Sequence, residues 1–196
     1  REVPQIPLVD CPLGNSALAL LQDVEAYPDS GVKERYKRIG LGVGTAHRTK
    51  RSLVRSGWLE ETELKMGRTR KRLLALTDRA LEMLGIAQAK ERAPLAHAYW
   101  QRYYAKLFEN RGFTVQLEAP REHGRVDVLA SLGKNRIGIE IETGKSDVVS
   151  NVKNGLRSGF ELIVVAAVDV DARKVVERQL ARAGLLLPER MEVVLC

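Results

Sequence analysis

The sequence predicts a two-domain α+β protein, with a mainly helical domain over residues 1–88 and an α/β domain with a mixed central sheet over residues 89–196. One observation is charge: residues 31–80 hold 14 Lys and Arg against 5 Asp and Glu, a net charge of +9 in a chain that totals +7. The other is periodicity, because helical patterns dominate before residue 85 and alternate with several short strand patterns after it. A chain of 196 residues is long enough for two small cores.

Composition excludes two classes of protein. No run of 18 apolar residues exists, so no membrane-spanning segment is predicted. Cys11 and Cys196 are too few and too far apart for a disulfide framework or a zinc site, and we expect a cytoplasmic location. Because the chain begins with Arg1, we expect it to be a segment of a longer protein. The local excess of positive charge favours a nucleic-acid partner.

The basic segment is predicted to form two helices around a glycine-bearing turn, preceded by a helix over 15–25. The first of the two covers 30–40, and the second runs from Thr45, the expected N-cap, to about Ser56. In this last helix Ala46, Leu53 and Val54 should face inward. The side chains expected to face outward, towards DNA, are Arg48, Lys50, Arg51 and Arg55.

A β hairpin over 58–64 and 70–76 should follow, with a basic tip formed by Arg68, Arg70, Lys71 and Arg72, and Thr77 or Asp78 should cap one more helix. Through Ser56-Gly57-Trp58-Leu59, Gly67-Arg68 and Leu76-Thr77-Asp78-Arg79-Ala80, this segment resembles winged-helix domains of the MarR kind. The resemblance implies that the helix at 45–56 enters the major groove and that the hairpin reaches phosphates. Winged helices also serve as adaptors between proteins, which is the alternative. A homodimer is a further expectation.

Three carboxylates dominate the second half: Asp127, Glu140 and Glu142. The segments that contain these acids alternate apolar and polar residues, as strands do. Glu140 and Glu142 should therefore share one face, opposite the isoleucines beside them. A hairpin-like connection at 130–135 should lay Asp127 beside them. Oxygen ligands in this arrangement suit Mg²⁺ or Mn²⁺. The alternative is a solvated polar face on an edge sheet.

The spacing resembles the PD-(D/E)XK nuclease superfamily, in which an Asp is followed on the next strand by Glu-x-Lys. The predicted order over 94–195 also matches that restriction-endonuclease-like core: helix, three strands, helix, strand, helix, strand. The resemblance implies that Asp127 and Glu140 bind metal and that Glu142, at the usual Lys position, completes the shell or orients water. It also implies a phosphate-stabilising role for Lys145. The remaining candidates are Lys153 as a DNA contact and, as accessory residues on the first helix, His97 and Gln101.

Further local signals complete the second half. Ser146 or Asp147 should cap the helix after the acidic strand, the apolar run 161–167 should be a strand buried on both faces, and Asp171 should cap the next helix. Asn151 should lie on the helix that Ser146 or Asp147 caps, just past the carboxylates.

Three functional hypotheses follow. The first is a DNA-binding, Mg²⁺- or Mn²⁺-dependent endonuclease. The second is a non-catalytic DNA-binding or adaptor module, since the string Ile139 to Asp147 resembles nuclease-like domains attached to DNA-translocating ATPases. A third hypothesis is a transcription regulator in which only the winged helix matters.

Overall fold

The computed structural model describes residues 13–66, 69–87 and 93–196, which form two compact units divided between Leu95 and Ala96. The predicted boundary, after residue 88, lies a few residues earlier in the chain. Arg68, at the predicted hairpin tip, falls outside the described residues. Within the described ranges, no helix is long and apolar enough to cross a bilayer.

The described residues of the N-terminal unit form four helices and one antiparallel hairpin. The helices are α1 (Asn15–Ala26), α2 (Val32–Arg38), α3 (Val43–Arg55) and α4 (Asp78–Met83), and strands β1 (Leu59–Met66) and β2 (Thr69–Leu76) lie between α3 and α4. Leu59 lies opposite Leu76, and Met66 opposite Thr69. The predicted order of helices and strands is therefore confirmed.

Two helices of this unit begin in different ways, α3 without a side-chain cap and α4 with one. Helix α3 begins at Val43 after Gly42, so the prediction of Thr45 as N-cap is wrong. The amide of Ala46 donates to the carbonyl of Gly42 at 2.9 Å, which closes the first turn and places the N-cap three residues before Thr45. Thr77 caps α4 as predicted, accepting from the amide of Ala80. Its hydroxyl also donates to the carbonyl of Gly57 at 2.7 Å and so ties α4 to the start of the hairpin.

One hydrophobic core holds this unit together. Leu20 and Leu21 of α1 are fully buried, and they cluster with Leu53 of α3 and Leu74 of β2. Helix α1 therefore packs on the basic segment. Burial of each such leucine contributes roughly 2 kcal/mol to stability. The shared core therefore holds α3 and the hairpin against each other.

The C-terminal unit contains a five-stranded mixed sheet and three helices. In chain order they are α5 (Leu95–Glu109), β3 (Thr114–Pro120), β4 (Arg125–Leu132), β5 (Asn135–Glu142), α6 (Val148–Arg157), β6 (Leu162–Ala167), α7 (Val170–Arg182) and β7 (Met191–Leu195). The order of strands in the sheet is β3-β4-β5-β6-β7, with antiparallel pairing up to β5 and parallel pairing beyond it. Strand β5, which carries Glu140 and Glu142, is thus the central strand. The alternative that its acids lie at the edge of the sheet is wrong.

Close packing positions β5 against α6 and α7. A Cβ at Gly138 would lie 2.5 Å from the Phe160 ring, so only glycine lets this ring lie against the strand. Phe160 clusters with Val152 of α6 and Leu180 of α7.

The caps of these two helices lie at the carboxyl ends of β5 and β6. Asp147 caps α6 by accepting from the amide of Ser150, which decides between the two predicted caps. Asp169, not Asp171, caps α7, because its extended backbone places Oδ1 2.8 Å from the amide of Ala172.

Candidate nucleic-acid interface and acidic centre

Helix α3 carries a stripe of exposed arginines. Arg48, Arg51 and Arg55 are all exposed and follow one another at intervals of three and four residues, which places them on one face of the helix. The guanidinium of Arg48 lies 3.4 Å from the hydroxyl of Thr45. These three predicted DNA contacts are available to a partner.

Lys50, the fourth predicted contact on α3, is buried. Its ammonium donates to Glu61 of β1 at 2.6 Å, and only 6 % of its side chain is exposed. The spacing contains the signal, because Lys50 lies four residues after Ala46 and three before Leu53, both buried. Lys50 therefore joins α3 to the hairpin, and its assignment as an outward DNA contact is wrong.

The hairpin presents cations that are weakly paired. Arg70 and Arg72 are exposed and contact Glu63 at 3.1 and 3.4 Å, while Lys71 is partly buried. Exposed ion pairs of this kind contribute about 0–1 kcal/mol, so a phosphate can replace Glu63 at little cost.

A groove of about 1020 Å³ lies between α2, the start of α3 and the hairpin. Most of the charged side chains that line it are basic, and its acids are Glu34 and Glu63. The cationic lining residues are Lys33, Lys37, Lys50, Arg70, Lys71 and Arg72. A groove with this balance of charge suits a polyanion.

The acidic centre, defined as Asp127, Glu140 and Glu142, lies in the C-terminal unit. Glu140 and Glu142 alternate with buried Ile139 and Ile141, which confirms that the two acids share a face of β5. They are only 3 % and 1 % exposed, so the alternative of a solvated polar face is wrong. Burial requires that both acids be protonated, hydrogen-bonded or paired.

The carboxylate of Asp127 contacts two side chains of α5. Its Oδ2 accepts from the backbone amide of Ile141 at 2.7 Å and lies 3.1 Å from His97 Nε2, and its Oδ1 accepts from Gln101 at 3.2 Å. The structure thus brings both accessory candidates to Asp127. Gln101 also donates to Glu118 of β3, which has a positive φ of 48°. A positive φ is unusual for a non-glycine residue, and no local pattern in the sequence indicates it.

Arg121, in the turn after β3, contacts the centre directly. Its Nη1 donates to Glu140 Oε1 at 2.5 Å and to the carbonyl of Asn151 at 3.2 Å, and only 3 % of its side chain is exposed. Sequence reasoning missed Arg121, because an arginine beside Glu122, His123 and Gly124 has the pattern of a solvated turn.

The oxygens of Glu142 are held by α6 and the loop before it. Ser146 donates to Oε2, and Asn151 donates to Oε1 at 3.1 Å. The placement of Asn151 beside the carboxylates is confirmed. Lys145 and Lys153 are exposed, and the guanidinium that reaches Glu140 belongs to Arg121.

Burial and mutual repulsion shift the proton equilibria of the centre. Burial raises the pKa of Glu140 to about 8, and Asp127 and Glu142 add to this rise, whereas Arg121 opposes it. Burial also raises the pKa of Glu142 against the hydrogen bonds from Ser146 and Asn151. The hydrogen bond to Asp127 raises the pKa of His97. The three carboxylates therefore lie close enough to influence one another.

The donor set of this centre suits a hard divalent cation, but its arrangement does not. Within the described ranges, no group of three or more His, Cys, Asp or Glu side chains is placed to hold a metal ion. Both oxygens of Asp127, both of Glu142 and Oε1 of Glu140 have partners within the chain. As they lie, these residues do not fit Mg²⁺ or Mn²⁺, and the metal site stays a prediction.

No family model matches the chain, and no curated protein matches it. A crystal structure of MarR is similar, with 26% sequence identity over 50% of this chain and 64% of the MarR chain. The TM-score of that superposition is 0.34, too low to establish a shared fold.

Proposed function

We infer that the chain binds duplex DNA through its N-terminal unit and does not cleave it. The observation that carries the binding proposal is the exposed stripe of Arg48, Arg51 and Arg55, which a buried core holds beside a basic hairpin. The helix can lie in a major groove while Arg70 and Arg72 reach phosphates on one flank. The net charge of +9 over residues 31–80 supports the same partner.

Charge reversal of the stripe tests this proposal. Arg48→Glu, Arg51→Glu and Arg55→Glu together should weaken duplex binding by at least ~100-fold and lower the salt slope by about 2.7 if all three contact phosphates. The measurement is fluorescence anisotropy of labelled duplex across a salt series. A residue that reads bases would change sequence preference more than slope.

The matched control is a triple reversal on α7 in the other unit. Lys174, Arg178 and Arg182 are exposed and follow at intervals of four residues, so their replacement by Glu changes net charge equally on another helical face. This control should keep most of the wild-type affinity. Unchanged binding in the α3 variant would contradict the proposal and would point to a protein partner for this face.

Cleavage is the alternative, and the crowding of Asp127, Glu140 and Glu142 is the observation that favours it. Two observations oppose it: the motif position usually held by Lys carries Glu142, and each carboxylate is already engaged by the chain. We therefore expect no cleavage of supercoiled, linear, branched or single-stranded DNA with Mg²⁺, Mn²⁺ or chelator. Metal-dependent cleavage that disappears in Asp127→Asn and Glu140→Gln would instead establish an endonuclease. The homodimer and the translocating ATPase partner stay predictions.

A further inference from the structure

Arg121 is held on all sides within the C-terminal unit. Besides its contacts to Glu140 and to the carbonyl of Asn151, its Nη2 donates to Asn151 Oδ1 at 3.3 Å and its Nε to the carbonyl of His123 at 3.2 Å. All three guanidinium nitrogens therefore have an acceptor. A side chain fixed in this way and 3 % exposed forms part of the interior.

This guanidinium connects the two buried glutamates. It contacts Glu140 directly, and Asn151, which accepts from it, donates in turn to Glu142 at 3.1 Å. A buried cation beside two buried acids stabilises the ionised form of each acid, which burial would otherwise disfavour by several kcal/mol. Arg121 thus provides a positive charge at the end of β5 that carries the two acids.

A divalent ion would need the space and the lone pairs that Arg121 and its neighbours now use. Mg²⁺ binds carboxylate oxygens at about 2.1 Å in octahedral geometry, but Glu140 Oε1 already accepts from Arg121 at 2.5 Å. A second cation there would also be repelled by the fixed guanidinium at low effective dielectric. We propose that Arg121 is the resident cation of the acidic centre, and that the wild-type centre binds no divalent metal for this reason.

The proposal accounts for the departure at residue 142. The motif resembled by this chain places a cation two residues after the glutamate on the same strand, and here that position holds Glu142. The compensating charge comes instead from the turn after β3, 19 residues before Glu140. The centre therefore has a cation, but at a different position from that of the motif.

The wild-type chain provides the first test. Isothermal titration with Mn²⁺, and thermal unfolding with Mn²⁺ or with chelator, should show no saturable binding and no shift of the melting temperature. Saturable binding that Asp127→Asn and Glu140→Gln abolish would overturn the proposal. This measurement requires no substitution at Arg121 and is decisive even if variants at that position fail to fold.

Removing the guanidinium is the second test. Arg121→Ala should melt at a lower temperature in chelator, regain stability with Mn²⁺, and bind Mn²⁺ at least about tenfold more tightly than the wild type. The matched control is Arg136→Ala, which removes a partly buried arginine that contacts Ser158 and the Phe160 ring. This control should gain no Mn²⁺ binding. A folded Arg121→Ala protein without such a gain would contradict the proposal.

Relocating the charge separates a specific role of Arg121 from a general loss of packing. In the double variant Arg121→Ala/Glu142→Lys, a lysine at the motif position restores a cation to the centre and removes one acid. It should melt higher in chelator than Arg121→Ala and should lose the Mn²⁺ binding again. Persistent Mn²⁺ binding in the double variant would show that a cation in the centre does not exclude the metal. DNA binding is measured separately, so its failure is distinguishable from failure of this proposal.

Discussion

Replacing Asp23 by Ala should lower the free energy of unfolding of the N-terminal unit by about 3–5 kcal/mol, because it leaves a buried arginine without its carboxylate. Arg35 is completely buried, and its Nη1 donates to Asp23 Oδ1 at 2.9 Å and to the carbonyl of Asp23 at 2.8 Å. Arg38 donates to the same carboxylate at 2.6 Å while its guanidinium lies 4.0 Å from the centre of the Tyr27 ring. One side chain therefore fixes α2 to α1.

The measurement is urea unfolding followed by tryptophan fluorescence. Trp58 and Trp100 are both buried, one in each unit, so a Trp100→Phe background reports the N-terminal unit alone. The matched control is Glu63→Ala, which also removes an acid shared by two arginines, but in an exposed setting. It should cost less than ~1 kcal/mol. Equal losses in the two variants would contradict the importance assigned to burial.

The C-terminal unit should lose stability as the pH rises from about 5 to about 9. Unfolded Glu140 releases its proton near its ordinary pKa of 4.5, whereas the folded carboxyl keeps it until about pH 8. Between these values the folded state binds more protons, so its stability falls as pH increases. The raised pKa of His97 acts in the same direction above about 6.5. At about 1.4 kcal/mol for each pKa unit, the total loss should be several kcal/mol.

Glu140→Gln should remove most of this pH dependence, since the amide does not titrate. The readout is urea unfolding at pH 5, 7 and 9 by Trp100 fluorescence in a Trp58→Phe background. Glu177→Gln, which alters a half-exposed acid paired with Arg173, should leave the slope unchanged. A wild-type stability that increases over this range would mean that Arg121 keeps Glu140 ionised in the folded state.

Local patterns in the sequence determined much of the fold. The order of helices and strands followed from periodicity, and the sequence narrowed two of the caps to the pairs Thr77 or Asp78 and Ser146 or Asp147, because capping involves residues three positions apart. The common face of Glu140 and Glu142 followed from the period of two in a strand. The arginine stripe on α3 followed from helical spacing in the same way.

Tertiary structure decided which charged groups are buried and what they contact. Helical spacing places Lys50 on the inner face of α3, but only tertiary packing gives it Glu61 of β1 as a partner. Arg121 contacts the acidic centre because the turn after β3 lies against α6. Asp127 bonds to His97, 30 residues away, through the packing of α5. Local periodicity specifies which face of an element a residue occupies. The partner across that face depends on how distant segments pack, and burial then makes that partner decisive for each charge.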